Sequence, residues 1–155
     1  MVASDRFNTE RKISFIPIID FETVRLGIST AGWWVRYWTQ ESEIFAVEYK
    51  EGIDTLWLTP ILEFQPEDFL TELGGALKSN HQSTELLERF PLEAIVTMGL
   101  KSHAEEVVED ALRWVSKVDT EAVRQQVAIL ASNKQNLLLS YKAKLILGER
   151  GALFQ

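Results

Sequence analysis

Residues 33–40 read WWVRYWTQ and residues 44–50 read IFAVEYK. Aromatic and β-branched side chains suit a pleated, half-buried surface, so both segments are expected as strands. In the first, Trp34, Arg36 and Trp38 share one face, while Trp33, Val35 and Tyr37 share the other. In the second, Phe45, Val47 and Tyr49 fall together. The link QESE (40–43) lacks an Asn-Gly or Asp-Gly pair but is short enough for a hairpin.

Working outward, residues 12–19 (KISFIPII) predict a further strand, with Pro17 placing it at a sheet edge or in a bulge. Residues 23–29 (TVRLGIS) alternate, setting Val24, Leu26 and Ile28 against Arg25 and Gly27, and 29–32 (STAG) punctuate as a turn. After a turn at Glu51-Gly52, residues 54–59 (DTLWLT) read as one more strand, with Leu56 and Leu58 opposing Thr55, Trp57 and Thr59. Short strands with short links predict an antiparallel meander of about four strands.

From Gln65 the period becomes that of a helix. Pro66 suits the first helical position, with Glu67 and Asp68 near the dipole's positive end. Phe69, Leu70, Leu73, Ala76 and Leu77 form its apolar stripe, and Gly74-Gly75 is expected to kink or end it. Leu86, Leu87 and Phe90 make a short amphipathic turn, and Pro91 opens a helix with Leu92, Ile95, Val96 and Gly99 inward. Residues 104–118 form the clearest helix, with Ser102 and Glu105 in the capping-box pattern and Val107, Val108, Ala111, Leu112, Val115 and Val118 buried. Asp119 or Thr120 caps a helix to Ala131. Ser132 and Gln135 repeat the box and open a last helix, stopped by Gly148. Leu92-Glu93-Ala94-Ile95 recurs loosely as Thr120-Glu121-Ala122-Val123, and Ala111 as Ala143, so the helix pairs loosely resemble a HEAT-type α-solenoid unit. The fold class expected is α+β: a sheet portion over 1–64 and a helical portion over 65–155, sharing one core.

The chain has 155 residues, with 46% hydrophobic and 25% charged, as in an ordinary globular domain. No apolar run approaches the ~20 residues of a membrane span, and residues 1–12 lack the apolar core of a secretory signal, so neither membrane nor secretion is expected. With no cysteine, thiolate chemistry is excluded and a reducing cytoplasm is the expected compartment. The net charge is −7. Residues 41–110 hold sixteen Asp/Glu against four Lys/Arg, whereas 111–155 hold seven Lys/Arg against three acids. That imbalance argues against nucleic acid as a partner and for steering of a cationic one.

Phosphate-loop, dinucleotide and nucleophile-elbow signatures are absent. The two histidines, His81 and His103, fall in polar connections, where general acid–base work is not expected. His103, Glu106 and Asp110 share a helical face, but a solvated helix start explains those acids better than a metal does. No cofactor and no metal are expected, and no enzyme. The expected function is a protein-binding module, an acidic inhibitor of the immunity type that masks a basic partner such as a nuclease toxin. Its contact anchors are Trp34, Arg36 and Trp38, because Trp and Arg dominate interface hot spots. Glu41, Glu43, Glu48, Glu51 and Asp54 supply the steering charge. Two alternatives stand beside it: a small enzyme or ligand pocket using a carboxylate with one histidine, and an accessory subunit docking through Lys134, Lys142, Lys144 and Arg150.

Overall fold

The computed structural model describes residues 13–154, the side chains through residue 148. The architecture is α+β, an antiparallel four-stranded sheet in the order β1-β2-β3-β4 followed by helices. The strands are β1 (Phe15–Asp20), β2 (Arg25–Ser29), β3 (Trp34–Gln40) and β4 (Glu43–Glu48). The helices are α1 (Pro66–Ser79), α2 (Leu92–Leu100), α3 (Glu105–Trp114), α4 (Glu121–Ala131) and α5 (Leu137–Phe154). Three 3₁₀ segments, Leu56–Glu63, Thr84–Arg89 and Val115–Lys117, complete the elements among the described residues. No helix among the described residues is long and apolar enough to cross a membrane. The expected reading of residues 1–12 and the tail residue Gln155 lie outside the described residues.

The expected portions 1–64 and 65–155 are continuous stretches, whereas contacts group the chain into two compact units each built from two stretches. Unit 1 is Met1–Asp54 with Glu67–Pro91, and unit 2 is Thr55–Pro66 with Leu92–Gln155.

In unit 1 the meander forms as its alternation dictates. β1 is an edge strand, and its pairing with β2 slips between Pro17 and Ile19, so the proline lies both on an edge and at a bulge, the places where its missing N–H is tolerated. Leu26, Ile28 and Trp34 are buried on one sheet face. There the Trp34 indole meets Phe90 edge-on at 5.3 Å, Phe90 meets Phe69 of α1 at 5.6 Å, and Phe69 stacks on Phe21 at 5.1 Å. The opposite face is closed at its centre as well. Val35 and Ala46 are buried, and Phe15 lies across Gly27 to reach Tyr37 at 4.9 Å. A Cβ on Gly27 would stand 2.9 Å from the Phe15 ring and 2.7 Å from the Ile16 carbonyl, so only glycine admits this crossing.

α1 runs through Gly74-Gly75 without a break, because Leu73 and Leu77 stay fully buried on the same stripe. It ends in a Schellman motif: the His81 N–H donates to the Lys78 carbonyl at 3.0 Å and the Gln82 N–H to Leu77 at 2.8 Å. His81 occupies the left-handed position of that cap at φ 58°. The Asn80 amide donates to the Ala76 carbonyl at 2.8 Å and reaches the Ile18 carbonyl at 3.4 Å, tying the helix end to β1.

Unit 2 corrects the expected strand at 54–59. Leu56–Glu63 is a 3₁₀ helix, since Leu58, Ile61 and Leu62 recur at helical spacing and are all fully buried, and Pro60 cannot serve a central ladder. Thr55 is buried too, while Leu56 and Trp57 turn out to solvent, so no two-residue alternation survives. Trp114 Nε1 donates to the Leu62 carbonyl at 3.0 Å and Arg113 donates to the same oxygen at 3.1 Å, fastening this segment onto α3.

Helices α2 and α3 pack as a pair, as do α4 and α5, with α2 against α4 and α3 against α5. The matched positions Ile95 and Val123, and Ala111 and Ala143, are all fully buried. The capping expectations divide. Thr120 Oγ1 does accept from the Val123 N–H at 3.3 Å. The residue capping α3 is Ala104, and Ser102 Oγ accepts from Ala104 instead of from the third turn position, so the expected box does not form. Glu105 instead accepts from Asn136 Nδ2 at 2.6 Å. Asn136, and neither Ser132 nor Gln135, caps α5, its Oδ1 accepting from Leu139 N–H at 3.0 Å. α5 continues through Gly148 to Phe154, one residue of weak propensity being too small a cost to stop it.

Candidate functional site: an aromatic and guanidinium stack beside acidic loops

β3 carries the functional side chains because one of its two partners, β2, stops short of its end. Its last β2 partner is Tyr37, opposite Arg25, while its ladder with β4 continues to Gln40 opposite Glu43. Trp38 therefore lies on a part of β3 bordered by one strand only, and it is half-buried. Arg36 stands two residues back on the same face, its guanidinium carbon 4.2 Å from the Trp38 ring centroid. Across the ladder, Trp38 stacks on Phe45 at 5.9 Å with the rings 22° apart. Arg36 Nε also donates to the Tyr49 hydroxyl at 3.3 Å. Tyr49, Arg36, Trp38 and Phe45 thus form one row, with the cation held between a phenol and an indole.

Tyr49 is buried, and burial pushes its hydroxyl above the ordinary tyrosine range. The Arg36 hydrogen bond and charge oppose that rise and the Asp54 charge adds to it. Tyr37, on the other face, is also raised, by burial and then by Asp20, with Arg25 opposing. Both phenols stay neutral hydrogen-bonding groups at neutral pH. At the step where β2 stops, a hollow of about 220 Å³ is lined by Glu22, Thr23, Val24, Arg25 and residues 36–39.

Trp34 does not join this row at the surface. It is completely buried, with its Nε1 donating to the Leu86 carbonyl at 2.7 Å, so it is a core residue and not a contact anchor. The reason is positional: Trp34 faces Ile28 where the 3₁₀ segment Thr84–Arg89 and Phe90 cover the sheet. Of the three expected anchors, only Arg36 and Trp38 retain exposed surface.

The steering acids divide likewise. Glu41 and Ser42 form the hairpin tip with φ 51° and 67°, the type I′ geometry usually taken by Asn-Gly. Glu43 is exposed on the face of Phe45 and Trp38. Glu51 and Asp54 are exposed in the segment after β4. Glu48 instead faces the Val35 side, 3.7 Å from Lys50, and does not belong with the others. Glu41, Glu43 and Glu51 make no ion pair among the described residues.

Both histidines are exposed, and His81 is accounted for by its place in the α1 cap. Asp110 pairs with Arg113 at 2.9 Å, and among the described residues no group of three or more His, Asp or Glu is placed to hold a metal ion. Of the expected C-terminal docking cations, Lys142 is paired with Glu109 at 3.3 Å, and the Arg150 side chain lies outside the described residues. Among the exposed apolar groups that the sequence pattern does not single out are one on the sheet and one in unit 2. Ile44 on β4 is 67% exposed and Trp57 in unit 2 is 68% exposed. For Trp57 the local pattern carries no such signal, because the apolar run Leu56, Trp57, Leu58, Ile61 and Leu62 does not say which of its members another element will cover.

The charge map sharpens once the units are known. Residues 13–54 and 67–91 of unit 1 hold twelve Asp/Glu against five Lys/Arg, a net −7. Residues 55–66 and 92–154 of unit 2 hold nine against eight, a net −1. Most of the acid excess belongs to the unit that carries the stack. Comparison with protein-family models, curated proteins and solved structures finds no match to this chain.

Proposed function

We propose that the chain is a protein-binding module, an acidic inhibitor of the immunity type, which masks a basic protein such as a nuclease toxin. The observation that carries this reading is the concentration of most of the acid excess in unit 1, net −7 over its described residues against −1 in unit 2, in the unit that also carries the half-buried Arg36–Trp38–Phe45 stack. A one-signed field accelerates encounter with a cationic surface, and an ordered Trp–Arg pair offers contact area at small entropic cost. Glu41, Glu43, Glu51 and Asp54 steer, while Arg36 and Trp38 anchor. Trp34 and Glu48 take no part.

The test is capture from native lysate at low and high salt, with the retained protein identified by mass spectrometry and then purified. The expected partner is basic. Its association rate falls steeply with salt and drops at least tenfold for the triple variant Glu41→Lys/Glu43→Lys/Glu51→Lys, while Trp38→Ala mainly speeds dissociation. Retention of nothing basic at low salt, or a rate indifferent to the three reversals, overturns the reading.

A further inference from the structure

Helix α5 is apolar on two opposite sides. Leu139, Ser140 and Ala143 are buried against the rest of unit 2. At the same time Leu137 is 75% exposed, Leu138 58%, Tyr141 60% and Leu145 50%. At 100° per residue these four fall in one stripe diametrically opposite the buried one. Each apolar face of a helix normally packs against another element.

The stack of helix pairs is also unequal at its ends. Beyond α2 and α3 the 3₁₀ segment Leu56–Glu63 packs on both helices and buries Leu58, Ile61 and Leu62. Beyond α5 no such segment is present among the described residues, and two stacked pairs fall short of the roughly three that repeat arrays need.

We infer that α5 is a homodimer interface, packing antiparallel on α5 of a second copy about a two-fold axis near Tyr141. Three observations select a second copy over another occupant. The stripe contains no acid and sits on the near-neutral unit, so the basic partner of unit 1 is not drawn to it. It is self-complementary about Tyr141: a two-fold there sets Leu145 of one copy beside Leu137 and Leu138 of the other, and sets Lys144 beside leucine and not beside its own copy. The four side chains expose on the order of 500 Å² per copy, most of the roughly 800 Å² that each partner contributes to a standard interface. Dimerisation also joins two stacked pairs into four.

Sedimentation of the full chain from about 1 to 200 µM tests this. A reversible monomer–dimer equilibrium is expected. Tyr141→Glu and Leu138→Glu, both at exposed positions, raise its dissociation constant by roughly tenfold or more with unchanged circular dichroism. Ile44→Glu, equally exposed but in unit 1, leaves it unmoved. Because the chain has no cysteine, Tyr141→Cys alone crosslinks the two copies under mild oxidation, whereas Ser116→Cys does not. A wild-type chain that stays monomeric at the highest concentration, or a dimer indifferent to both charge substitutions, overturns the inference. Neither result bears on the proposed function of unit 1.

Discussion

Two helical glycines respond oppositely to the same substitution, and the difference follows from what a methyl group meets at each. In a helix interior, glycine to alanine gains about 1 kcal/mol, because alanine loses less backbone freedom on folding. At Gly75 of α1 nothing lies within 4 Å of the added Cβ, so the full gain is expected and the thermal midpoint rises about 2–4 °C. At Gly99 of α2 the new methyl would stand 2.9 Å from Ala111 Cβ and overlap Leu62 Cδ1. The Leu62 methyl can rotate away. Ala111 cannot, since its Cβ is fixed to the α3 backbone and is completely buried. The two helices must therefore separate, at an overpacking cost of about 1–3 kcal/mol. Subtracting the propensity gain leaves Gly99→Ala destabilised by about 1 kcal/mol, and Gly99→Val by more. Urea unfolding followed by circular dichroism, with the midpoint and slope fitted together, measures both variants. A Gly99→Ala chain as stable as Gly75→Ala would refute the close packing of α2 on α3.

Trp34→Phe should cost about 1–3 kcal/mol, because the Leu86 carbonyl loses its donor while most apolar contact survives, and Trp34→Ala about 3–5 kcal/mol; an exposed contact residue would show neither loss in a melting experiment. His81→Gly should stabilise the chain by about 1 kcal/mol, glycine bearing φ 58° without the strain histidine carries there, and a loss of stability on calorimetry would give His81 a role beyond the cap. Tyr49 is raised above its unfolded value by burial, so the folded chain holds that proton more tightly: stability is fully present below pH about 10 and declines as pH rises beyond it. Tyr49→Phe should flatten this decline in melting curves taken from pH 8 to 11.

How much of this was legible in the sequence differs by element. The meander was, because two-residue alternation in 23–29, 33–40 and 44–50 leaves each strand one arrangement that buries Leu26, Ile28 and Val35, and Pro17 marked the edge and bulge of β1 in advance. The stripe of α1 and the Thr120 cap were legible for the same reason: both are set by neighbours within a few residues. The candidate site was half legible. Arg36 and Trp38 were found by their face of β3, and so was Trp34, which shares that face.

What separates Trp34 from Trp38 lies some fifty residues away along the chain, where Leu86 and Phe90 cover one end of the strand and leave the other. Periodicity reports which side chains point together, but not which length of a face another element will cover. The same limit explains Leu56–Glu63, whose helical period shows only once Ile61 and Leu62 are known to share the burial of Leu58. It also explains the charge map, since a run of acids from 41 to 110 crosses between units that only tertiary contacts define. Local pattern therefore determined most of the elements, Leu56–Glu63 apart, and the residue types available for binding. Long-range packing decided which of those residues remain at the surface, because burial belongs to pairs of segments and not to any one of them.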